Sequence, residues 1–392
     1  MMHRFSRVSV CLLLLTASLS AQTPALKAVQ PPGDAVSSPA VLAKGTLYVS
    51  GQGGSGTTDF AGQMSEAMGN VQAVLHSAGM SFGNVAWMNI YVTDAHDLAA
   101  MDDVYWNMIG SSPPARTALT VAALPHGEKV EINCIAVAGQ RKAIWPAGWP
   151  RGPRVDPPAI LAGEILYLSA QGGEDPLTGK LKPDFSGETR QALENVSTVL
   201  KAARMSMKNV LWVNPYIGAS GQYDVMGKVY KTFFEFGNTP GRGTIQVVGL
   251  PRGEHMIFSC IAGADLSKRK AVRPRNMPPS ATASPGILYG DTLYLSAKDG
   301  FIPGQGMVTQ LFDLQLRQSM RNLQDGLEEV DMDFSNVVFS TVYLRDIKDD
   351  QQMNPLYGQF FKPPYPAITT LQQNFESGEE AAEQISFIAV KK

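Results

Sequence analysis

The chain has 392 residues, 44% hydrophobic and 17% charged, an ordinary globular composition with room for roughly two to four domains. Its 33 Lys and Arg stand against 35 Asp and Glu, a formal charge of −2 that lacks the basic footprint phosphate-backbone binding needs. The five histidines are scattered and neither cysteine of the body of the chain has metal-ligand spacing, so no metal site is expected.

In chain order, residues 1–21 come first, with a basic head (Arg4, Arg7), an apolar core from Val8 to Leu15 and small residues up to Ala21. The core is too short to span a bilayer and reads as a cleaved secretory signal, although Leu19 fits the cleavage pattern poorly. Cys11 lies inside the apolar core, so no lipid-anchoring cysteine follows it. The expected destination is export, periplasmic or extracellular and bacterial, with no membrane association after cleavage. Losing Arg4 and Arg7 and no acid moves the formal charge from −2 to −4.

An internal repeat organises the rest. SPAVLAKGTLYVSGQGG from Ser38, PPAILAGEILYLSAQGG from Pro157 and SPGILYGDTLYLSAKDG from Ser284 align without a gap. Helix-like segments follow from Phe60, Phe185 and Phe312. Their apolar stripes, such as Met64, Ala67, Met68, Val71 and Leu75, predict one packed face each. Asn70, Asn195 and Asn322 share a register inside these helices. A further Asn (Asn84, Asn209, Asn336) precedes the β-rich runs VAWMNIYVT, VLWVNPYIG and VVFSTVYLR. Pro215 interrupts the second run and is expected to cost a ladder bond or force a bulge.

A second helix carries Tyr105, Tyr230 and Tyr357, and two strands close each unit, the last ending in CIAV, CIAG or FIAV. The predicted fold is α+β, a β-β-α-β-α-β-β unit three times over: residues 22–142, 143–268 and 269–392. The other face of each sheet is apolar and needs the neighbouring copies to cover it. Cys134 and Cys260 sit inside apolar strands and read as buried free thiols. The Pro-rich basic stretches 138–154 and 264–281 read as linkers. The KRKAVRPR run in the second has no aromatic interleaving, which argues against a nucleic-acid patch. GQGGSG from Gly51 lacks the Lys-Ser/Thr of a phosphate loop and reads as a turn.

Two charges stand out in PPARTALTVAALPHGEKVEINCIAV: Arg116 after a Pro kink and Glu131 in the last strand. The second copy keeps Arg242 but has Ile257 at the glutamate position; the third has Ile368 and Gln384. The competing readings are an interface salt bridge for Arg116 and an exposed strand residue for Glu131.

LYVSGQ, a helix with a central Asn, PPART and VEINCIAV together resemble the RidA/YjgF family (imine deaminases, also called L-PSP) over almost the whole chain after residue 21. The resemblance implies a chorismate-mutase-like fold. The three units would form a covalent, monomeric pseudo-trimer around a central β-barrel, with ligand clefts between units. It implies hydrolysis of 2-imino or enamine acids to 2-oxo acids and ammonia, with no cofactor. A carboxylate anchor suits an arginine fork, and a nearby carboxylate suits water activation.

By the resemblance Arg116 is the substrate arginine, Glu131 the water-positioning acid, and Ser50 and Gly51 line the cleft. Arg242 would hold a carboxylate without catalysis. The helix position of the family's asparagine is Asp102, Gly227 and Asn354 in the three units, so one competent cleft is expected between units one and three. Lys298, replacing the glutamine of SGQ, reads as a strand-end lysine, or else as an anion hook. The alternative function is a non-catalytic module binding small carboxylates or a protein partner. The ribonuclease activity sometimes attached to the family sits poorly with the acidic charge.

Overall fold

The computed structural model describes residues 26–28, 36–218, 221–278, 280–374 and 381–392. The predicted leader at 1–21 lies outside them. Each unit is one main sheet with two helices on one face, and units two and three add a two-stranded ribbon, Glu174–Asp175 with Lys180–Leu181 and Phe301–Ile302 with Gly306–Met307. In unit one the strands run Leu26–Ala28, Ala40–Ala43, Thr46–Gly53, Val130–Val137, Val85–Val92, Ala115–Thr120 across the sheet. All neighbours pair antiparallel except the last two, which pair parallel. The helices are α1 (Phe60–Ser77) and α2 (Leu98–Met108) in unit one, α3 (Phe185–Ala202) and α4 (Tyr223–Tyr230) in unit two, and α5 (Phe312–Glu328) and α6 (Asp350–Tyr357) in unit three.

The stripe read from the sequence is the face α1 buries: Met64, Ala67, Met68, Val71 and Leu75 are fully enclosed against Val130, Ile132, Cys134 and Ala136. Each buried Met, Val or Leu of the stripe contributes about 1.5–3 kcal/mol. The repeated asparagines tie this layer together. Asn70, Asn195 and Asn322 donate from the first helix of each unit to the end of the SxQ strand, at Gly53, Gly172 and Asp299 O (2.9, 2.9 and 3.1 Å). Asn84, Asn209 and Asn336 donate to the carbonyls ending the last strands, Val137, Gly263 and Val390.

The sheet's other face is covered by the other two sheets. Tyr48, Trp87 and Ile135 of unit one share a core with Ile160, Tyr167 and Trp212 of unit two and Ile287, Tyr294 and Phe339 of unit three. A second shared core holds Tyr91, Tyr216 and Tyr343 in matching register. Both faces of the last strand are therefore buried, which is why VEINCIAV is enclosed throughout. The three sheets surround this core as a pseudo-trimer without merging into one closed sheet. Among the described residues, isolated bridges join them, Thr120 with Gly249 and Ala123 with Gln372.

Two local readings change. The Pro-rich stretches 138–154 and 264–281 are more than linkers, each containing an edge strand of the next unit: Arg141–Ile144 pairs with Ala159–Ala162, and Arg269–Val272 with Gly286–Tyr289. Basic, Pro-flanked composition hid them, and edge strands carry such residues commonly. Pro215 leaves its strand's antiparallel ladder in register but splits the parallel partner. Where units one and three have six-residue strands, unit two has only Gly241–Arg242 and Ile245–Gln246, with the gap falling at Asn214 and Pro215. A proline has no N–H to offer there.

Cys134 and Cys260 are buried free thiols, with burial pushing both pKa values up. Among the described residues no helix is long and apolar enough to cross a membrane, and no group of His, Cys, Asp and Glu is arranged to hold a metal.

Candidate functional site

Each junction between units is closed by the same serine. Ser50, Ser169 and Ser296 each donate to the carbonyl twelve residues back in their own unit: Ser38 (2.6 Å), Pro157 (2.6 Å) and Ser284 (2.5 Å). Each hydroxyl then accepts a backbone N–H from the neighbouring unit's edge strand. Ile368 donates to Ser50 (2.9 Å), Arg116 to Ser169 (3.0 Å) and Arg242 to Ser296 (2.9 Å). The hydroxyl saturates an otherwise open edge, and it fixes which residues meet.

The pairing therefore runs unit one to unit two through Arg116, two to three through Arg242, and three to one through Ile368. This corrects the expected single cleft. Arg116 faces Ser169 and Ile257, while Ser50 and Glu131 of its own unit meet Ile368 and Asp350 of unit three on the other side. Within unit one, the strand carrying Glu131 is separated from that carrying Arg116 by Val85–Val92. Their ladder partners on it are Tyr91 and Met88, so the two residues lie about 10 Å apart across the sheet and about 10 Å along it. No cleft here sets an arginine opposite a glutamate at the family positions.

In the first cleft, of about 620 Å³, Arg116 is already paired. Its Nη1 donates to Asp102 (2.6 Å) and its Nε to Asp156 (2.8 Å), and its side chain is 10% exposed. The guanidinium lies over the rings of Tyr105 (4.2 Å) and Trp106 (5.7 Å). Burial works against its charge, and Asp156, Tyr105 and Asp102 outweigh burial to raise its pKa. The interface salt bridge is thus the arrangement present.

In the third cleft Glu131 is buried, with Oε1 unpartnered. Burial, reinforced by Glu128 and Asp350, holds its carboxyl well above the ordinary range against a hydrogen bond from the Thr370 backbone. Gly51 is what admits it: a Cβ there would fall 1.9 Å from Glu131 Oε1. Asn354 donates to Asp350 of its own helix (3.0 Å). Asp350 supplies an acid in that cleft, and Ile368 supplies no cation.

The second cleft, of about 400 Å³, is different. Arg242 has the same backbone anchor as Arg116, but both acid positions are vacated: Asp102 aligns with Gly227 and Asp156 with Ala283. Nη2 donates to no carboxylate; it meets the Tyr223 hydroxyl (2.7 Å). Nη1 is buried without a partner, as is Thr244 Oγ1 on the same wall. Among the described residues no carboxylate pairs with Arg242. Lys298 and Asp299 line the opposite wall with Gln384. Burial pulls the Lys298 ammonium below the ordinary lysine range, opposed by Asp299. The sequence signal for this cleft was available in the joint replacement of Asp102 and Asp156 by Gly227 and Ala283.

The chain matches the family Endoribonuclease L-PSP three times, over residues 28–138, 154–263 and 275–383. It is similar to the 2-iminobutanoate/2-iminopropanoate deaminases of Capra hircus (43% identical over 109 residues, 26% of this chain and 80% of that protein) and Rattus norvegicus (35% over 105 residues, 26% and 76%). Among solved structures it is similar to a putative endoribonuclease L-PSP from Entamoeba histolytica (30% identical, 29% of this chain and 98% of that chain, TM-score 0.28). E. coli TdcF with bound serine is another (25% identical, 32% and 99%, TM-score 0.30). Three matches covering most of its length place the chain in the Endoribonuclease L-PSP family, also called RidA/YjgF, with three family units in tandem.

Proposed function

We propose that this protein binds a small 2-oxo or 2-imino carboxylate in the cleft between units two and three, with Arg242 as the carboxylate anchor. The observation that carries this is the buried, unpartnered Arg242 Nη1 in a cavity whose two acid positions are Gly227 and Ala283. A guanidinium N–H buried without an acceptor is costly, and a carboxylate ligand relieves that cost with charge-assisted hydrogen bonds. The ligand class follows from the relatives, named for 2-iminobutanoate and 2-iminopropanoate.

Imine hydrolysis by Arg116 and Glu131 acting together is not part of this proposal, because the two face different neighbours. Calorimetric titration with pyruvate tests the reading. Arg242→Ala should weaken binding at least about tenfold, the loss of a single charged hydrogen bond or more, and Arg116→Ala should leave it nearly unchanged. The reverse ranking would move the site to the first cleft. On the leader-like pattern of residues 1–21 we place this binding outside the cytoplasm, which N-terminal sequencing of the exported fraction checks. Three covalently joined units supply each other's partners, so the expected solution state is a monomer, read by light scattering.

A further inference from the structure

Lys298 occupies the third position of the SxQ strand, where units one and two carry Gln52 and Gln171. Those amides fold back on their own strands, Gln52 Nε2 to Ser50 O (3.2 Å) and Gln171 Nε2 to Ser169 O (2.9 Å). No described hydrogen bond or ion pair uses the Lys298 Nζ in this way. The ladder between Thr292–Lys298 and Glu383–Val390 slips between Leu295 and Lys298, as it does between Val49 and Gln52 and between Leu168 and Gln171, so the lysine takes the backbone position of the two glutamines beside the junction. The lysine and Arg242 therefore line one cavity from opposite units, held together by the bond from Arg242 N–H to Ser296 Oγ two residues before Lys298. The cavity, about 400 Å³, lies within the ~300–1,000 Å³ range of small-molecule sites.

Resting on the carboxylate-binding reading above, we infer that Lys298 captures the bound acid covalently, its Nζ forming a Schiff base with the 2-carbon of a 2-oxo or 2-imino acid. A carboxylate held by Arg242 leaves the adjacent carbonyl or imine carbon as the electrophile. The neutral Lys298 amine adds to that carbon, forming a C–N bond and pushing the π pair onto oxygen or nitrogen. Proton transfer off Nζ and onto the departing group expels water from a 2-oxo acid or ammonia from a 2-imino acid. Both routes give the same Schiff base. Water adding to it returns the free amine and releases the 2-oxo acid, so the 2-imino route sums to hydrolytic deamination without a glutamate. Partial burial favours the uncharged amine this needs, and desolvated lysines are activated in this way. Asp299, whose carboxyl burial raises, is the neighbouring group suited to carry the proton.

Borohydride trapping tests this on the full chain. Incubation with pyruvate and sodium borohydride should add the mass of pyruvic acid less one oxygen, once per chain. Peptide mapping should place it on Lys298, and Lys298→Met should abolish it while keeping a cooperative melting transition. Arg242→Ala should cut the labelling rate at least about tenfold, in line with the lost anchor. Binding by the wild-type chain with no adduct, or label spread evenly over lysines, overturns the covalent step and leaves the binding reading intact. Absence of pyruvate binding in the wild type overturns both. Lys298→Arg serves where Lys298→Met fails to fold: it keeps the charge without the nucleophilic amine and is expected not to label, and labelling in it overturns the inference.

Discussion

Ala283→Asp is the most direct perturbation of the second cleft, because the protein already contains its outcome. At the aligned position of the first cleft Asp156 accepts from Arg116 Nε at 2.8 Å, and the two arginines share one backbone anchor, Arg116 N to Ser169 Oγ at 3.0 Å and Arg242 N to Ser296 Oγ at 2.9 Å. An aspartate at 283 is therefore expected to take the guanidinium face that a ligand carboxylate would use. A hydrogen bond to a charged group contributes about 1.5–3 kcal/mol. Displacing it should weaken pyruvate binding by roughly 10–100-fold, since each 1.4 kcal/mol is about tenfold. Calorimetry measures the affinity, and the double variant Ala283→Asp with Arg242→Ala completes a cycle in which the two losses should not add. If Ala283→Asp binds pyruvate as tightly as the wild type, Arg242 is not the anchor and the comparison between clefts fails.

Arg116→Ala strands Asp156 and Asp102 at a buried interface and should cost about 3 kcal/mol, the low end for a buried pair because Asp102 is half exposed. Arg242→Ala strands no acid and should cost clearly less, both read from denaturant midpoints. Gly51→Ala places a Cβ against Glu131 and should cost about 1–3 kcal/mol by overpacking. Adding Glu131→Ile, the combination unit two has in Ala170 and Ile257, should recover most of it.

Glu383 is fully buried with its pKa raised to about 8, by burial, and it meets Ser319 Oγ at 2.5 Å. Ser319 Oγ donates in that contact, which works against the burial, and it also lies within hydrogen-bond distance of Gln315 O (3.0 Å). A raised carboxyl pKa gives stability present in full below the unfolded value of about 4.3 and lost as pH rises through about 8. Glu383→Gln should flatten the fall in melting temperature across that window.

The repeat, the helix stripes and the strand runs were legible because each is a periodic demand of one unit on itself. The junctions were not. Arg116 and Glu131 look adjacent in the chain, but an intervening strand and the order of the sheet send them to different neighbours, and no pattern within a unit encodes which neighbour. The edge strands Arg141–Ile144 and Arg269–Val272 were hidden by prolines that flank them without entering them. Lys298 read as a strand end because the cavity beside it is built half by another unit.

The strand Arg141–Ile144, by making units one and two a single polypeptide, removes a constraint that symmetry imposes on assemblies of identical chains. In a ring of three copies every substitution appears at all three junctions at once. Here Ile368 deletes an arginine from one junction only, Asp156 neutralises one only, and Ala283 with Gly227 opens one only. A single change that would ruin a symmetric ring is confined to a third of this one, so one junction is free to acquire a lysine while the other two hold the ring together.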